Sequence, residues 1–249
     1  MFIPVFVKGT TLDDTWFQLL KELRALGREY PITDGSYAGQ NRLAFDFVSG
    51  IVMHPHARPL APITDPLDPP TTDDNILNYF NEYLMNPNLE DGEEYRYAQW
   101  INGPMHNPWK PDSKKGFHYF YDETQVEWVI RHFKEKGFGN EHCFITIGDP
   151  TSNFRYDKPY KEQTDRGTSP CLRGLDFRVV DGYLTTHVVY RSWDLVGGWP
   201  ENMGGFTLLN EYVANMIGAE PGPLSFSCKS LHAYDHAFKY LDARIGKGI

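Results

Sequence analysis

Four short runs in the C-terminal half of the chain carry residue types that could do chemistry together. Ser169-Pro170-Cys171-Leu172 sets a thiol directly ahead of a β-rich run. Tyr190-Arg191-Ser192-Trp193-Asp194 gathers a guanidinium, a hydroxyl and a carboxylate. Gly197-Gly198-Trp199-Pro200-Glu201-Asn202 ends on an amide, and Ser230-Leu231-His232-Ala233-Tyr234 adds an imidazole and a phenol. A thiolate is a nucleophile whose formation a nearby cation favours. Taken singly, each run also has a plain packing explanation. A lone cysteine behaves as a small core residue, a lone histidine as a hydrogen-bonded structural group, and Arg191-Ser192 as a surface turn. A cysteine hydrolase assembled from Cys171, His232 and an asparagine is one conceivable combination. It is disfavoured because Cys171 precedes a strand and carries no cysteine-on-helix signature.

The elements that must hold these residues can be read from periodicity. The clearest is LDFRVV-DG-YLTTHVVY, where Asp181-Gly182 between two β-rich runs predicts a tight hairpin beginning just after Cys171. Phe206 to Ile217 reads as a buried helix stopped by Gly218, and Leu224 to Lys229 as a further strand. Thr10 to Leu26 and Asp122 to Lys136 are predicted helices. Asp74 to Met85 is another, with Asp73 or Asp74 near its cap. Asn41 to Val52 and Cys143 to Ile147 look extended, and the proline-rich stretch His54 to Thr72 is an ordered coil. Asp34-Gly35-Ser36 breaks the chain, and residues 95 to 121 are dense in aromatic side chains that suit either a core or a ligand. No internal repeat or flexible linker appears, so a single α+β domain over residues 1–249 is expected.

The order and spacing of the four runs resemble the thymidylate synthase family. Its members carry a Pro-Cys nucleophile, a strand pair, Arg-Ser-x-Asp about twenty residues on, Gly-x-Pro-x-Asn, a helix and His-x-Tyr. The resemblance is strong from about Pro170 to Tyr240. It is weaker over Phe2 to Gln99, where GREY, GSYAGQNR and EEYRYAQW look most like short archaeal-type members. The resemblance implies a three-layer α/β (α+β) domain around a large mixed sheet, a homodimer, and C5 methylation of dUMP with methylenetetrahydrofolate. Residue by residue it implies that Cys171 attacks C6 of the pyrimidine, and that Arg191 supports the thiolate and binds phosphate with Ser192. Asn202 would read the base edge, and His232 and Tyr234 would bind the sugar. Asp194 would meet the pterin, with Trp100 or Trp109 stacking on it. Glu82 would be the general base acting through water beside Tyr97. A pyrimidine nucleotide hydroxymethylase acting on dUMP, dCMP or CMP shares every step but the last. A non-catalytic nucleotide-binding relative is the alternative of another class.

Three departures bear on these expectations. Two adjacent arginines that family dimers lend to the phosphate are absent from Asn140-Glu141-His142-Cys143-Phe144-Ile145-Thr146. Arg28, Arg42, Arg155, Arg166 or Arg173 could compensate, and His142 could supply part of the charge. Leu172 follows the nucleophile where bacterial members have histidine, and Trp193 is bulky where a small residue is common. Asn202 favours uracil, since an amide can pair with N3–H and O4, although an amide can also flip.

Composition removes whole classes. The 249 residues carry a net charge of −9, against a general nucleic-acid surface. No window is apolar enough for a membrane span, and the first residues lack the features of a signal peptide. Three cysteines without CxxC spacing argue against a metal site or disulfide framework. A cytoplasmic protein without a metal is expected, with Ile249 near a terminus that the family closes over its site.

Overall fold

The computed structural model describes residues 1–33, 37–111, 118–148 and 169–246; the side chains of 106–111 and 118–120 are not described. In chain order come β1 (Pro4–Gly9), α1 (Leu12–Leu26), β2 (Arg28–Pro31), β3 (Asn41–Ala44) and β4 (Phe47–Val52). α2 (Asp73–Asn78) runs directly into a π-helix (Tyr79–Met85), followed by α3 (Ala98–Ile101), β5 (His106–Pro111), β6 (His118–Phe120), α4 (Gln125–Lys136) and β7 (Phe144–Thr146). The C-terminal part holds β8 (Leu172–Val180), β9 (Tyr183–Tyr190), β10 (Trp193–Asp194), α5 (Trp199–Ile217), β11 (Glu220–Cys228) and β12 (Leu231–Tyr234). A 3-10 turn (Asp235–Ala237) and α6 (Phe238–Arg244) end the described chain.

The strands form a mixed six-stranded sheet in the order β1-β4-β11-β9-β8-β7, a four-stranded sheet β10-β12-β3-β2, and a β5-β6 pair. The architecture is therefore mixed α/β, but with a second sheet that periodicity does not announce. That second sheet is built from pieces distant in sequence and only two to four residues long. Such pieces are too short to show alternation.

The predicted hairpin is β8 and β9. Asp181 and Gly182 adopt φ of 51° and 86°, the left-handed pair that a two-residue hairpin turn needs. Along β9 the burial alternates strictly, with Leu184, Thr186, Val188 and Tyr190 inward. α5 covers this inward side: Asn210 Nδ2 donates to Leu184 O at 2.8 Å and to Thr186 Oγ1 at 2.9 Å. α1 is tied to the same region by Trp16 Nε1, which donates to Leu195 O at 2.8 Å.

Several boundaries differ from expectation for identifiable reasons. α5 begins at Trp199, seven residues before Phe206, because Pro200 sits in the first turn where its missing N–H costs nothing. Thr72, not Asp73 or Asp74, caps α2, its hydroxyl accepting from Asn75 N. Thr124 caps α4 in a reciprocal pair with Glu127, so that helix starts at Gln125 rather than Asp122. α2 continues as a π-helix where it crosses α5 at Gly204 and Gly205; a Cβ there would stand 2.7 Å from Ile76 and 2.5 Å from the Tyr79 ring. The Asp34-Gly35-Ser36 break lies outside the described residues.

Candidate active site

Cys171 stands at the entrance to β8, half-buried, between Pro170 and the buried Leu172. Two backbone features fix it. Arg191 N donates to Cys171 O at 2.9 Å, so the end of β9 is zipped to the thiol-bearing residue. The Arg191 side chain then reaches back, Nη2 to Ser169 O at 2.7 Å and Nε to Pro170 O at 3.3 Å. A guanidinium thus grips the two carbonyls that precede the nucleophile, a fork geometry that lysine does not reproduce. On the far side, Leu172 N donates to Tyr97 Oη at 3.4 Å. Tyr97 therefore touches the peptide just after Cys171.

Around the thiol stands a wall of phenols. Tyr83, Tyr95, Tyr97, Tyr190 and Tyr234 each feel the Cys171 charge, and in each it is burial first that pushes the phenol above its ordinary range. Tyr234 is pushed up to about 12. These hydroxyls stay protonated at neutral pH and can serve as neutral donors. The other two thiols are unlike Cys171. Burial raises Cys143 to about 11 and Cys228 to about 12, and both are core residues.

The remaining C-terminal residues converge through the short sheet. β10 pairs in parallel with β12, setting Asp194 opposite His232. Trp193 N bonds Ser230 O and Leu195 N bonds His232 O, at 2.9 and 2.7 Å. His232 is 2% exposed; Nδ1 lies 2.9 Å from Ser230 O, while Nε2 is buried with no hydrogen-bond partner among the described residues. Burial lowers its pKa, so the ring is neutral at pH 7 and keeps one nitrogen for a ligand. Tyr234 packs edge-on to His232 at 4.7 Å. Asp194 Oδ1 accepts from Val196 N at 3.0 Å, and Ser192 is half-buried beside it in the chain. Asn202 lies in the first turns of α5, its Oδ1 accepting from Trp193 Nε1 at 2.8 Å and from Tyr190 Oη at 3.2 Å.

The N-terminal contributors form a separate group. Glu82 lies on the π-helix, accepts from Asn86 Nδ2 at 2.8 Å and sits 3.5 Å from Arg96 Nη1. Arg96, 3% exposed in its side chain, also binds Glu90 at 2.8 Å and Glu93 at 2.5 Å. Glu82 and Glu201 line one cavity of about 470 Å³ with Tyr79 and Tyr83. Burial raises the Glu201 carboxyl above the usual range. Trp100 rims a different, larger cavity of about 760 Å³ with Tyr121, Trp128, His142 and Phe144; Cys171, Arg191 and Asn202 are not among its described lining residues. Trp109 is on β5, where side chains are not described. Among the arginines that could compensate for the absent pair, Arg28 is engaged with Asp46 and Arg173 with Ser169 Oγ. Arg42 Nε is buried without a hydrogen bond among the described residues, and Arg42 stands opposite Tyr234 in the sheet. Arg155, Arg166 and Ile249 lie outside the described residues. Tyr79 and Arg96 carry no signal in the sequence, and Tyr190 and Glu201 stand in the chemistry-bearing runs without a role of their own. Only the Gly-x-Pro-Glu-Asn run hinted at Glu201.

Cys171, Arg191, Asp194, Asn202, His232 and Tyr234 thus all lie in or beside strands β8 to β12 and the start of α5, with Tyr97 reaching in from α3. A half-buried thiol thus stands among buried phenols in a mixed α/β fold, with a guanidinium on the two carbonyls before it. The comparisons name the family. Residues 158–248 match the family model described as thymidylate synthase. Over 98% of the chain it is 25% identical to a Methanosarcina mazei protein named "Putative thymidylate synthase", covering 95% of that relative. Likewise it is 25% identical to one from Methanococcoides burtonii with the same coverage. A third, from Methanocaldococcus jannaschii, is 33% identical over half of the chain and 55% of the relative. Over that C-terminal stretch the chain is similar to the thymidylate synthase family, and the likeness to the archaeal relatives extends over nearly its full length. Among the described residues no helix is long and apolar enough to cross a membrane, and no three metal-ligating side chains cluster.

Proposed function

We propose that the protein transfers a one-carbon unit to C5 of a uracil nucleotide, dUMP to dTMP, with methylenetetrahydrofolate as donor. The observation that carries this reading is the hold on Cys171: its thiol is the half-buried one of three, with Arg191 clamping the two carbonyls before it. C5 of a pyrimidine is a poor nucleophile. A bond from Cys171 Sγ to C6 moves the C5–C6 electron pair onto C5 and the 4-oxygen, and C5 can then attack a carbon electrophile. A base removes the C5 proton, and the electron pair so released breaks the bond between the new carbon and the folate nitrogen, leaving an exocyclic methylene on C5; hydride or water then adds to that carbon, and the displaced pair expels the thiolate from C6. The reduced folate supplies the carbon and, for a methyl product, the hydride.

The site residues divide this chemistry among them. Arg191, with Ser192, meets the phosphate and holds the peptide that carries the nucleophile. Arg42 is the described arginine best suited to replace the missing phosphate pair, because its buried Nε lacks a partner near Tyr234. His232 offers Nε2 and Tyr234 its hydroxyl to the sugar. Glu82 is assigned as general base, with Tyr97 beside the nucleophile. Asp194 offers an acceptor to the N–H groups of a pterin, and Trp100, half-buried at the rim of an aromatic cavity, offers a stacking surface. Methylenetetrahydrofolate would thus use Asp194 as an acceptor and Trp100 as a stacking surface, with Trp109 the other stacking candidate.

A homodimer is part of this reading. Outward positions of the six-stranded sheet include Phe6 at 68% and Phe144 at 44% exposure, large apolar rings that a second copy would cover. Sedimentation of the intact protein tests it. A second reading, hydroxymethylation, is favoured by one feature: Leu172 stands where bacterial thymidylate synthases carry histidine. Both readings are separated by incubating dUMP, dCMP, UMP and CMP with methylenetetrahydrofolate and weighing the products. A methyl product with dihydrofolate is expected. A hydroxymethyl product with tetrahydrofolate would establish the second reading, and no C5 chemistry on any nucleotide would leave only a binding protein.

A further inference from the structure

We infer that Tyr79 carries the C5 proton out of the site: its hydroxyl links a water beside Tyr97 to the carboxylate cavity of Glu82 and Glu201. The inference rests on the proposed C5 chemistry and names the residue by which a base in that cavity reaches it. The side chain of Glu82 is 47% exposed and is held by Asn86 and Arg96. The phenol that touches the nucleophile's own peptide is Tyr97, which accepts from Leu172 N. A proton leaving the pyrimidine beside Tyr97 needs a path from there to a carboxylate.

Tyr79 is common to both places. It opens the π-helix and lines the cavity of about 470 Å³ with Glu82 and Glu201. Its ring stacks on Tyr83 at 5.2 Å, and Tyr83 meets Tyr97 edge-on at 5.2 Å. The ring also rests on Gly205, where a Cβ would stand 2.5 Å from it. Glu201 lies four residues before Gly205, on the same face of α5. Burial first, then Tyr83 and Glu201, holds the Tyr79 phenol above its ordinary range. After burial, Tyr79 in turn raises Tyr97 and Tyr190. Yet Tyr79 Oη is buried with no hydrogen-bond partner among the described residues. An unpaired buried hydroxyl is destabilising, and phenylalanine would fill the same space on Gly205. The hydroxyl therefore has a use beyond packing. In the reaction the C5–H bond breaks as its electron pair forms the exocyclic double bond and the folate nitrogen leaves. The proton passes to the water beside Tyr97, a proton of that water to Tyr79 Oη, and the Tyr79 proton to a cavity carboxylate. Water and phenol end neutral, and the carboxylate ends as a carboxylic acid.

Tyr79→Phe removes the hydroxyl alone, and because Oη makes no hydrogen bond to lose, Tm is expected to stay or rise. Two rates are read on the intact protein with methylenetetrahydrofolate. For release of the C5 hydrogen from dUMP, kcat is expected to fall about 10²-fold with KM within about twofold. 5-Fluoro-dUMP has no C5 proton to lose, so its reaction stops once the bonds to Cys171 Sγ and to the folate carbon have formed. That adduct, followed by mass, is expected to form at the wild-type rate. A merely structural role would slow adduct and release together. The double variant Glu82→Gln/Glu201→Gln should show the same split, and serves if Tyr79→Phe does not fold. If either variant releases hydrogen within about threefold of wild type, or loses adduct and release equally, the inference fails while the proposed function stands. If the wild type neither forms the adduct nor releases hydrogen, the function reading fails and takes the inference with it.

Discussion

The two walls of the site are built by different means. The C-terminal wall, from Cys171 to Tyr234, is held by backbone. Strand pairs set Asp194 against His232, and Arg191 and Asn202 are fixed by hydrogen bonds to carbonyls or to neighbouring rings. The N-terminal wall, from Tyr79 to Tyr97, is held by side chains. Tyr79, Tyr83, Tyr95 and Tyr97 pack as a chain of rings 5 to 6 Å apart, and a buried Arg96 gathers Glu82, Glu90 and Glu93. A backbone-held wall keeps its geometry when one side chain changes. A wall of packed rings and one cation depends on each member.

That contrast can be broken in order of expected effect. Arg191→Lys removes the fork on Ser169 and Pro170 and is expected to lower C5 hydrogen release by about 10²- to 10³-fold, since two charge-assisted bonds are lost at once. Thermal denaturation of this variant should change little, because the strand ladder remains; a collapse of Tm would mean that Arg191 is chiefly structural. Glu82→Gln is expected to cost about 10²-fold if it is the base, and Glu201→Gln under about tenfold. The reverse ranking would move the base to Glu201, across the same cavity. Tyr97→Phe should reduce turnover about tenfold by leaving Leu172 N unpaired beside the nucleophile. A rate within twofold of wild type would remove Tyr97 from the mechanism. The mildest test is chemical. Iodoacetamide at pH 8 should label Cys171 first, since burial holds Cys143 near 11 and Cys228 near 12 and keeps them protonated there. Peptide mass mapping that finds either core cysteine labelled before Cys171 would contradict the contrast between the three thiols.

The same contrast explains what could be read in advance. The hairpin at Asp181-Gly182, the strand after Cys171 and the helix that follows it leave local marks: a turn pair, an alternation, a glycine stop. Residues Cys171, Arg191, Asn202 and His232 sit at fixed offsets from those marks, so their order along these elements is legible. The start of α5 was not, because Pro200 reads as an interruption although the first turn of a helix accepts it. The π-helix at Tyr79 answers to close packing at Gly204 and Gly205, a tertiary cause with no local sign. Arg96 carries no local mark of its burial, because the three carboxylates around it lie up to fourteen residues away in sequence. Trp193 was visible only as a departure, and its indole N–H acquires meaning from Asn202, nine residues on.

The central claim is that the Cys171 thiol attacks C6 of a uracil nucleotide. Release of the C5 hydrogen from labelled dUMP, with methylenetetrahydrofolate present, tests it most directly. Wild-type protein is expected to release label with turnover, and Cys171→Ala to fall by about 10³-fold or more while still binding dUMP. Full release by the alanine variant would contradict the account.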